Sequence, residues 1–318
     1  MSIGVIGLGK VGRGIAKNLV AAGYDVVGFD LDEDACAKAS EHGVDVAENN
    51  PEVARRCSTI ILSLPHPDAS QAAVEAIVEH GEPGTDVFDT STLSALRAQE
   101  LAALADEGGV HYFDCPITGG EVGAQAGELT IMAGGDPDRI EANAEVLSVI
   151  STDVYHIGEV GDAQFVKLIH NHVGQTTLVI FIEGLLLADE FGVDPTVLYR
   201  TLRHYTQIYD DKLDSFFSNN FGEEFEAHFR PEGEEGIYRN RFNLDVAHKD
   251  LVELKSLADK YETYLPLGNF VEQFHREGMN AGYGDKPHPL LLEYFEENFD
   301  TEIETTEQGR EKSHGKIV

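Results

Sequence analysis

Ile3-Gly4-Val5-Ile6-Gly7-Leu8-Gly9-Lys10-Val11-Gly12 stands near the start of the chain, and its reading decides the fold. The apolar run Ile3 to Ile6 has the length and composition of a buried strand. Gly7-Leu8-Gly9-Lys10-Val11-Gly12 is a G-x-G-x-x-G, and an apolar helical pattern through Ala16 and Leu19 follows it. By itself the glycine pattern is weak, because glycines are common in turns. Between a strand and a helix it takes on three physical roles. The first glycine permits the tight turn, the second lets a pyrophosphate approach the backbone, and the third allows close helix–strand packing. The helix N-terminus then faces the anion.

The next apolar run, Val26 to Phe29, ends on Asp30, 18 residues after Gly12. A carboxylate there accepts hydrogen bonds from an adenosine ribose and repels a 2′-phosphate, so NAD is expected and NADP is less favoured. The plainer alternative makes Asp30 or Asp32 only the N-cap of the following helix.

Further along, short apolar runs alternate with helical patterns. Strands are expected at Ile3 to Gly7, Asp25 to Asp30, Thr59 to Pro65, Asp86 to Asp89, His111 to Cys115, Leu129 to Ala133 and Val154 to Ile157. Helices are expected between them, such as Gly12 to Ala22 and Ser94 to Glu107. That alternation predicts an α/β fold: an N-terminal Rossmann domain with a mostly parallel sheet, covered on both faces. Past Gly161 the strand signals stop, and an all-helical C-terminal domain is expected, with Pro195 and Pro266 near helix starts. The expected division is residues 1–160 for nucleotide binding, 161–298 for substrate and oligomer contacts, and 299–318 as an acidic, mobile tail. The stretch from Phe221 to Gly236 reads as an acidic surface insertion.

Two segments suggest chemistry. Thr118-Gly119-Gly120 follows a strand signal, and such a turn exposes backbone N–H groups and a hydroxyl that suit a substrate carboxylate. A glycine-rich turn shaped only by packing explains it equally well. In the second segment, Lys167 and Asn171 are four apart and share a helix face. A lysine shielded from water exchanges a proton with a hydroxyl while the amide holds that oxygen. The apolar neighbours Phe165, Val166, Leu168 and Ile169 argue for shielding; a solvated surface lysine is the bland alternative.

Together these segments resemble the β-hydroxyacid dehydrogenase family, which includes 3-hydroxyisobutyrate and tartronate semialdehyde reductases and lies in the 6-phosphogluconate dehydrogenase-like superfamily. The resemblance spans about residues 1–290. It rests on the glycine motif, Leu64-Pro65, Ser91-Thr92, Thr118-Gly119-Gly120, Lys167 with Asn171, Lys249-Asp250-Leu251 and Gly282-Tyr283-Gly284-Asp285. It implies Lys167 as general acid/base and Thr118, Gly119, Gly120 and Asn171 as substrate contacts. It further implies Leu64, Pro65, Thr92 and Lys249 as residues beside the nicotinamide, in a homodimer or homotetramer acting on a small hydroxyacid. Thr118 stands where the family usually has Ser, and Ala95 replaces a common proline; both bear on substrate more than on fold.

The decarboxylating 6-phosphogluconate dehydrogenases share the Lys, His and Asn order of Lys167, His170 and Asn171. Gly174 and Gln175 here stand where that enzyme has a Glu-Tyr pair, which weakens that alternative. Imine reductases share the architecture but usually lack the lysine. Arg200, Arg203, Arg239 and Arg241 are candidates for a second substrate anion. His170 and His172 face different ways on a helix, and His156, His204 and His248 lack partners at ligand spacing, so no metal site is expected. Cys36, Cys57 and Cys115 read as small buried residues.

No run of about 20 uncharged apolar residues occurs, so no membrane span is expected, and the N-terminus lacks signal-peptide features; the cytoplasm is the expected compartment. The formal charge of −34 disfavours nucleic-acid binding. Self-repulsion of that size weakens a fold unless counter-ions screen it, which implies a high-salt cytoplasm. Activity and helicity should therefore fall on dialysis from molar KCl to low salt; retention of both would refute a halophilic origin.

Overall fold

In the computed structural model, which describes residues 2–190, 192–193, 197, 243–260, 262, 265–288 and 291–299, the opening apolar run is strand β1 (Ser2–Ile6). Helix α1 (Lys10–Ala21) begins inside the glycine motif, two residues before the expected start. The chain continues with β2 (Asp25–Phe29), α2 (Glu33–Ser40), β3 (Asp45–Val46), α3 (Asn50–Arg56), β4 (Thr59–Leu62) and α4 (Pro67–His80). It goes on through β5 (Asp86–Asp89), α5 (Ala95–Glu107), β6 (His111–Asp114), β7 (Ile117–Thr118), α6 (Gly120–Ala126) and β8 (Leu129–Gly134). The short helices α7 (Pro137–Ala142) and α8 (Ala144–Ile150) lead to β9 (Ser151–Gly158) and the long helix α9 (Asp162–Glu190). Beyond it lie α10 (Leu244–Lys260), α11 (Pro266–Gly278), a π-helical turn at Met279–Tyr283 and α12 (Leu291–Phe299).

The strands are ordered β3-β2-β1-β4-β5-β6, all parallel, which is the doubly wound dinucleotide-binding order. The sheet then departs from pure parallel pairing. β8 runs antiparallel to β6, where Asp114 faces Gly134, and antiparallel to β7; β9 pairs parallel with β8. β3 and β7 went unpredicted, since two residues carry no periodicity to read.

Alternation along the strands divides the core between the two faces of the sheet. Ile3, Val5, Ile61, Phe88 and Phe113 pack on one face with Ile15 and Leu19 of α1. Ile6, Val27, Ile60, Leu62 and Val87 pack on the other with Val53, Val74, Ile77 and Leu101. Phe88 and Phe113, on neighbouring strands, stack with ring centroids 4.8 Å apart. Each such side chain contributes roughly 1.5–3 kcal/mol when fully buried. The parallel direction brings the C-terminal ends of β1, β2, β4, β5 and β6 to one edge, so Gly7, Asp30, Leu64 and Thr92 all follow strands at that edge.

Among the described residues the strand signals do stop at β9, and Pro266 opens α11 as expected. The compact units divide later than residue 160, however. One comprises Met1–Asn171 with Val252–Tyr264, the other His172–Leu251 with Leu265–Val318. The first ten residues of α9 therefore belong with the sheet. In the second unit, Leu244, Leu251, Val271 and Leu291 are buried, and Lys286 Nζ lies 3.7 Å from the Tyr283 ring centroid. Pro195, His204, the four arginines Arg200, Arg203, Arg239 and Arg241, the stretch 221–236 and the tail 301–318 lie outside the described residues.

Asp114, at the end of β6, ties α9 to the sheet. Its carboxylate accepts the N–H groups of Gly161 (3.0 Å) and Gln164 (2.9 Å), which open α9 and have no carbonyl partner inside the helix. A Cβ on Gly134 would sit 2.3 Å from Asp114 Oδ1, so only glycine leaves room for this carboxylate in the Met132-Ala133-Gly134-Gly135 run. Burial pushes the Asp114 carboxyl up to about 7, and the two N–H donors offset this only in part. In an unfolded chain it titrates near 3.8. Between those values the folded state holds more protons, so the stability contributed by this residue is full at low pH and is lost as pH rises through about 7. Denaturant titrations at fixed molar KCl should show the stability difference, wild type minus Asp114→Asn, shrinking with rising pH across that window. A difference independent of pH would contradict this.

Candidate functional site

The glycine loop divides its roles as its spacing predicts. Gly7 has φ +93°, and a Cβ there would lie 2.2 Å from the Ser63 carbonyl oxygen. A Cβ on Gly12 would lie 1.8 Å from the Gly7 carbonyl oxygen, so α1 is pressed onto the turn that precedes it. A Cβ on Gly9 would meet nothing within 4 Å. The first and third glycines are demanded by packing, whereas the second faces open space, as an approaching pyrophosphate requires. The first intrahelical bond runs from Arg13 N–H to the Gly9 carbonyl, so the earlier N–H groups of the turn have no helical acceptor.

Asp30 joins this loop. Its Oδ2 accepts Leu8 N–H at 2.6 Å, and its Oδ1 accepts Asp32 N–H at 2.9 Å. Asp32, not Asp30, caps α2, accepting Asp34 N–H at 2.9 Å. Beside Asp30 opens a cleft of about 320 Å³ lined by Phe29, Leu31, Glu33, Cys36, Val46 and Glu48. An open Gly9, a carboxylate at the end of β2 and an adjoining cleft with an apolar wall fit the pyrophosphate and adenosine of a dinucleotide.

A second set of contacts joins the segments that follow β4 and β5. Ser91 N–H donates to buried Asp89, and Ser91 Oγ accepts Leu64 N–H at 2.9 Å. This fixes Leu64-Pro65 beside Ser91-Thr92. Burial raises the Asp89 carboxyl above the usual range, against hydrogen bonds from Ser91 and Tyr112 that favour its charged form. Gln164 of α9, fully buried, then grips the same segment from the other side. Its Oε1 accepts Leu93 N–H and its Nε2 donates to the Ser91 carbonyl, each at 2.9 Å.

From Gln164 one face of α9 continues through Lys167 and Asn171, with 8% and 9% of their surfaces exposed. Lys167 is thus shielded, but not by all the neighbours expected to do so. Leu168 is buried, while Phe165 and Ile169 are 47% and 38% exposed. The shielding comes from the face Lys167 shares with Gln164 and Asn171. Next to them His170 Nδ1 lies 3.2 Å from Asn171 Oδ1. Desolvation, and then the charge of Lys167, lower the His170 pKa.

Thr118-Gly119-Gly120 lies where β7 passes into α6, with Gly119 at φ +115° and Gly120 at φ +56°. The turn itself demands both glycines. α6 is fastened to α1: Asn18 Nδ2 donates to the Ala124 carbonyl at 2.7 Å, and Lys10 Nζ pairs with Glu121 at 3.4 Å. This places the segment next to the helix of the glycine loop. Lys249 belongs to the other unit, on α10, where its ammonium lies 3.4 Å from Asp250.

Sequence reading gave no role to Gln164 or Asp114, and named Ser91 only as part of the Ser91-Thr92 motif. Each acts on backbone groups, a role without a periodic or charged signature. It also gave His248 no acidic partner, yet His248 Nε2 lies 2.9 Å from Glu272, which Arg276 also holds. Among the described residues no group of three or more His, Cys, Asp or Glu side chains is placed to hold a metal ion, and no helix is long and apolar enough to cross a membrane.

The strand order, the glycine loop and the polar face of α9 define an oxidoreductase of the nicotinamide-dinucleotide class. Residues 2–158 match the family model described as the NAD binding domain of 6-phosphogluconate dehydrogenase. Residues 161–295 match the NAD-binding model of NADP-dependent 3-hydroxyisobutyrate dehydrogenase. The chain is 28% identical over 305 residues to 2-(hydroxymethyl)glutarate dehydrogenase of Eubacterium barkeri, covering 93% of this chain and 95% of that protein. It is also 28% identical to mitochondrial 3-hydroxyisobutyrate dehydrogenase of Mus musculus, covering 93% and 87%. A crystal structure of 3-hydroxyisobutyrate dehydrogenase from Salmonella typhimurium superposes with a TM-score of 0.78 at 26% identity, covering 93% of this chain and all of that one. The chain belongs to the β-hydroxyacid dehydrogenase family.

Proposed function

We propose that this protein interconverts a small β-hydroxyacid of the 3-hydroxyisobutyrate kind and its semialdehyde, using NAD, with Lys167 as the general acid/base. The observation that carries this reading is the buried face of α9. Lys167 and Asn171 are withdrawn from water on one side of the helix, and Gln164 on that side holds the Ser91–Leu93 segment. A nicotinamide dinucleotide, when bound, supplies the hydride acceptor for oxidation or the donor for reduction. In oxidation Lys167 takes the hydroxyl proton as the carbinol carbon gives up its hydride, and Asn171 holds the oxygen. Thr118, Gly119 and Gly120 hold the substrate carboxylate. Gly7, Leu8, Gly9, Lys10, Val11 and Gly12 cradle the pyrophosphate, and Leu64, Pro65 and Thr92 flank the nicotinamide. Holding the reacting carbons in contact supplies much of the rate gain.

Although the second family model takes its name from an NADP-dependent enzyme, the local charge here favours NAD. Asp30, Glu33 and Glu48 line the cleft, and Asp32 caps the adjoining helix, so a 2′-phosphate would meet carboxylates. The 6-phosphogluconate alternative gains no support from the second half of the chain, where the match is to a hydroxyacid enzyme and Gly174-Gln175 offers no second acid. The protein acts as a homodimer or homotetramer in a salt-rich cytoplasm. Exposed Phe165, Ile169 and Val173, spaced four apart on α9, support the oligomer.

At molar KCl, Lys167→Ala should lower kcat for a β-hydroxyacid by about 100-fold or more while NADH still binds, as NADH fluorescence would show. Loss of NADH binding together with turnover would make Lys167 a structural residue and overturn the assignment.

A further inference from the structure

We propose that Gln164 is a positioning residue for the reaction, setting the distance between the Thr92 segment and Lys167; this rests on the acid/base role proposed for Lys167. Gln164 has no exposed surface and uses both ends of its amide on the backbone either side of Thr92, accepting from Leu93 N–H and donating to the Ser91 carbonyl. Its own N–H is held by Asp114. Three residues on, less than one helical turn and about 4.5 Å of rise, stands Lys167. Ser91 in turn fixes Leu64. One buried side chain therefore couples the helix that carries the proton-transferring group to two of the segments assigned to the nicotinamide.

The coupling is stiff for a physical reason. A fully buried amide that loses either partner leaves a backbone group unsatisfied, so the Ser91–Leu93 segment and α9 move together. A hydrophobic residue of similar size fills the space but leaves the register of the two segments undetermined. Gln164 touches neither reacting carbon nor proton. Its effect is on geometry, where displacements near 1 Å cost about 100-fold in rate.

The test uses the full chain at molar KCl with NAD and 3-hydroxyisobutyrate, or the β-hydroxyacid it oxidises best. Gln164→Leu should lower kcat by about 10- to 100-fold, leave the substrate KM and NADH affinity at wild-type values, and raise the primary deuterium isotope effect on kcat. Gln164→Glu gives a second reading should the apolar variant fold poorly. A neutral carboxyl there matches the amide with one donor and one acceptor, whereas a carboxylate faces the Ser91 carbonyl with a negative charge. Its kcat relative to wild type at the same pH should therefore recover as pH falls, with thermal unfolding showing an intact fold throughout. A folded Gln164→Leu with wild-type kcat would overturn the proposal, as would a Gln164→Glu ratio that does not change with pH. A fall in kcat matched by equal falls in NADH affinity and melting temperature would also overturn it, making Gln164 a packing residue. Lys167→Ala separates the two readings. If it is inactive while Gln164→Leu is unimpaired, only the positioning role falls; if it keeps turnover, the acid/base reading falls and takes this one with it.

Discussion

The seating of α9 on the ends of β5 and β6 is the constraint on which the rest of this molecule depends. A helix that begins against a sheet buries N–H groups that need acceptors, and Asp114 supplies both oxygens to Gly161 and Gln164. Burying that carboxylate is costly, as its pKa near 7 records, and the cost is tolerated because the same contact fixes where the helix starts. Gln164 then sets how the helix is turned, with its amide bonded to the backbone on both sides of Thr92. Once start and rotation are fixed, Lys167 and Asn171 follow on the buried face.

The glycine loop imposes the second constraint. Gly7 and Gly12 allow α1 to sit on the turn after β1 at a distance no side chain permits, and Gly9 keeps the front of that turn open. Asp30 closes the loop from β2 through Leu8 N–H. Such an arrangement binds an anion by backbone and dipole, without needing a basic side chain. In a chain of net charge −34 this has a consequence. The loop presents peptide N–H groups, which cannot be exchanged for acids, while the side chains around the end of β2 are free to be acidic, and Asp30, Asp32, Glu33 and Glu48 are found there.

Much of this was legible from residue order. The glycine motif, Asp30, the parallel strands and the Lys167–Asn171 spacing depend on period and separation, which a sequence displays directly. The boundaries of β5 were read to the residue because Asp86 and Asp89 bracket an apolar pair, whereas β3 and β7 were too short to leave a pattern. That the first turns of α9 group with the sheet was invisible because α9 carries one continuous apolar signal. Asp114 and Gln164 were invisible for another reason: each is an ordinary polar residue whose partners are main-chain atoms distant in sequence. Lys167 was expected to be shielded by its immediate neighbours, but a helix directs adjacent residues to different sides, and Phe165 and Ile169 face away.

The most direct test of the central claim is transfer of label. A β-hydroxyacid carrying deuterium on its carbinol carbon would be oxidised with NAD at molar KCl, and the dinucleotide product examined by mass spectrometry and proton NMR. Direct hydride transfer at a site organised by α9 predicts deuterium at C4 of the nicotinamide, on one face only. Deuterium lost to water, or label on both faces, would contradict it.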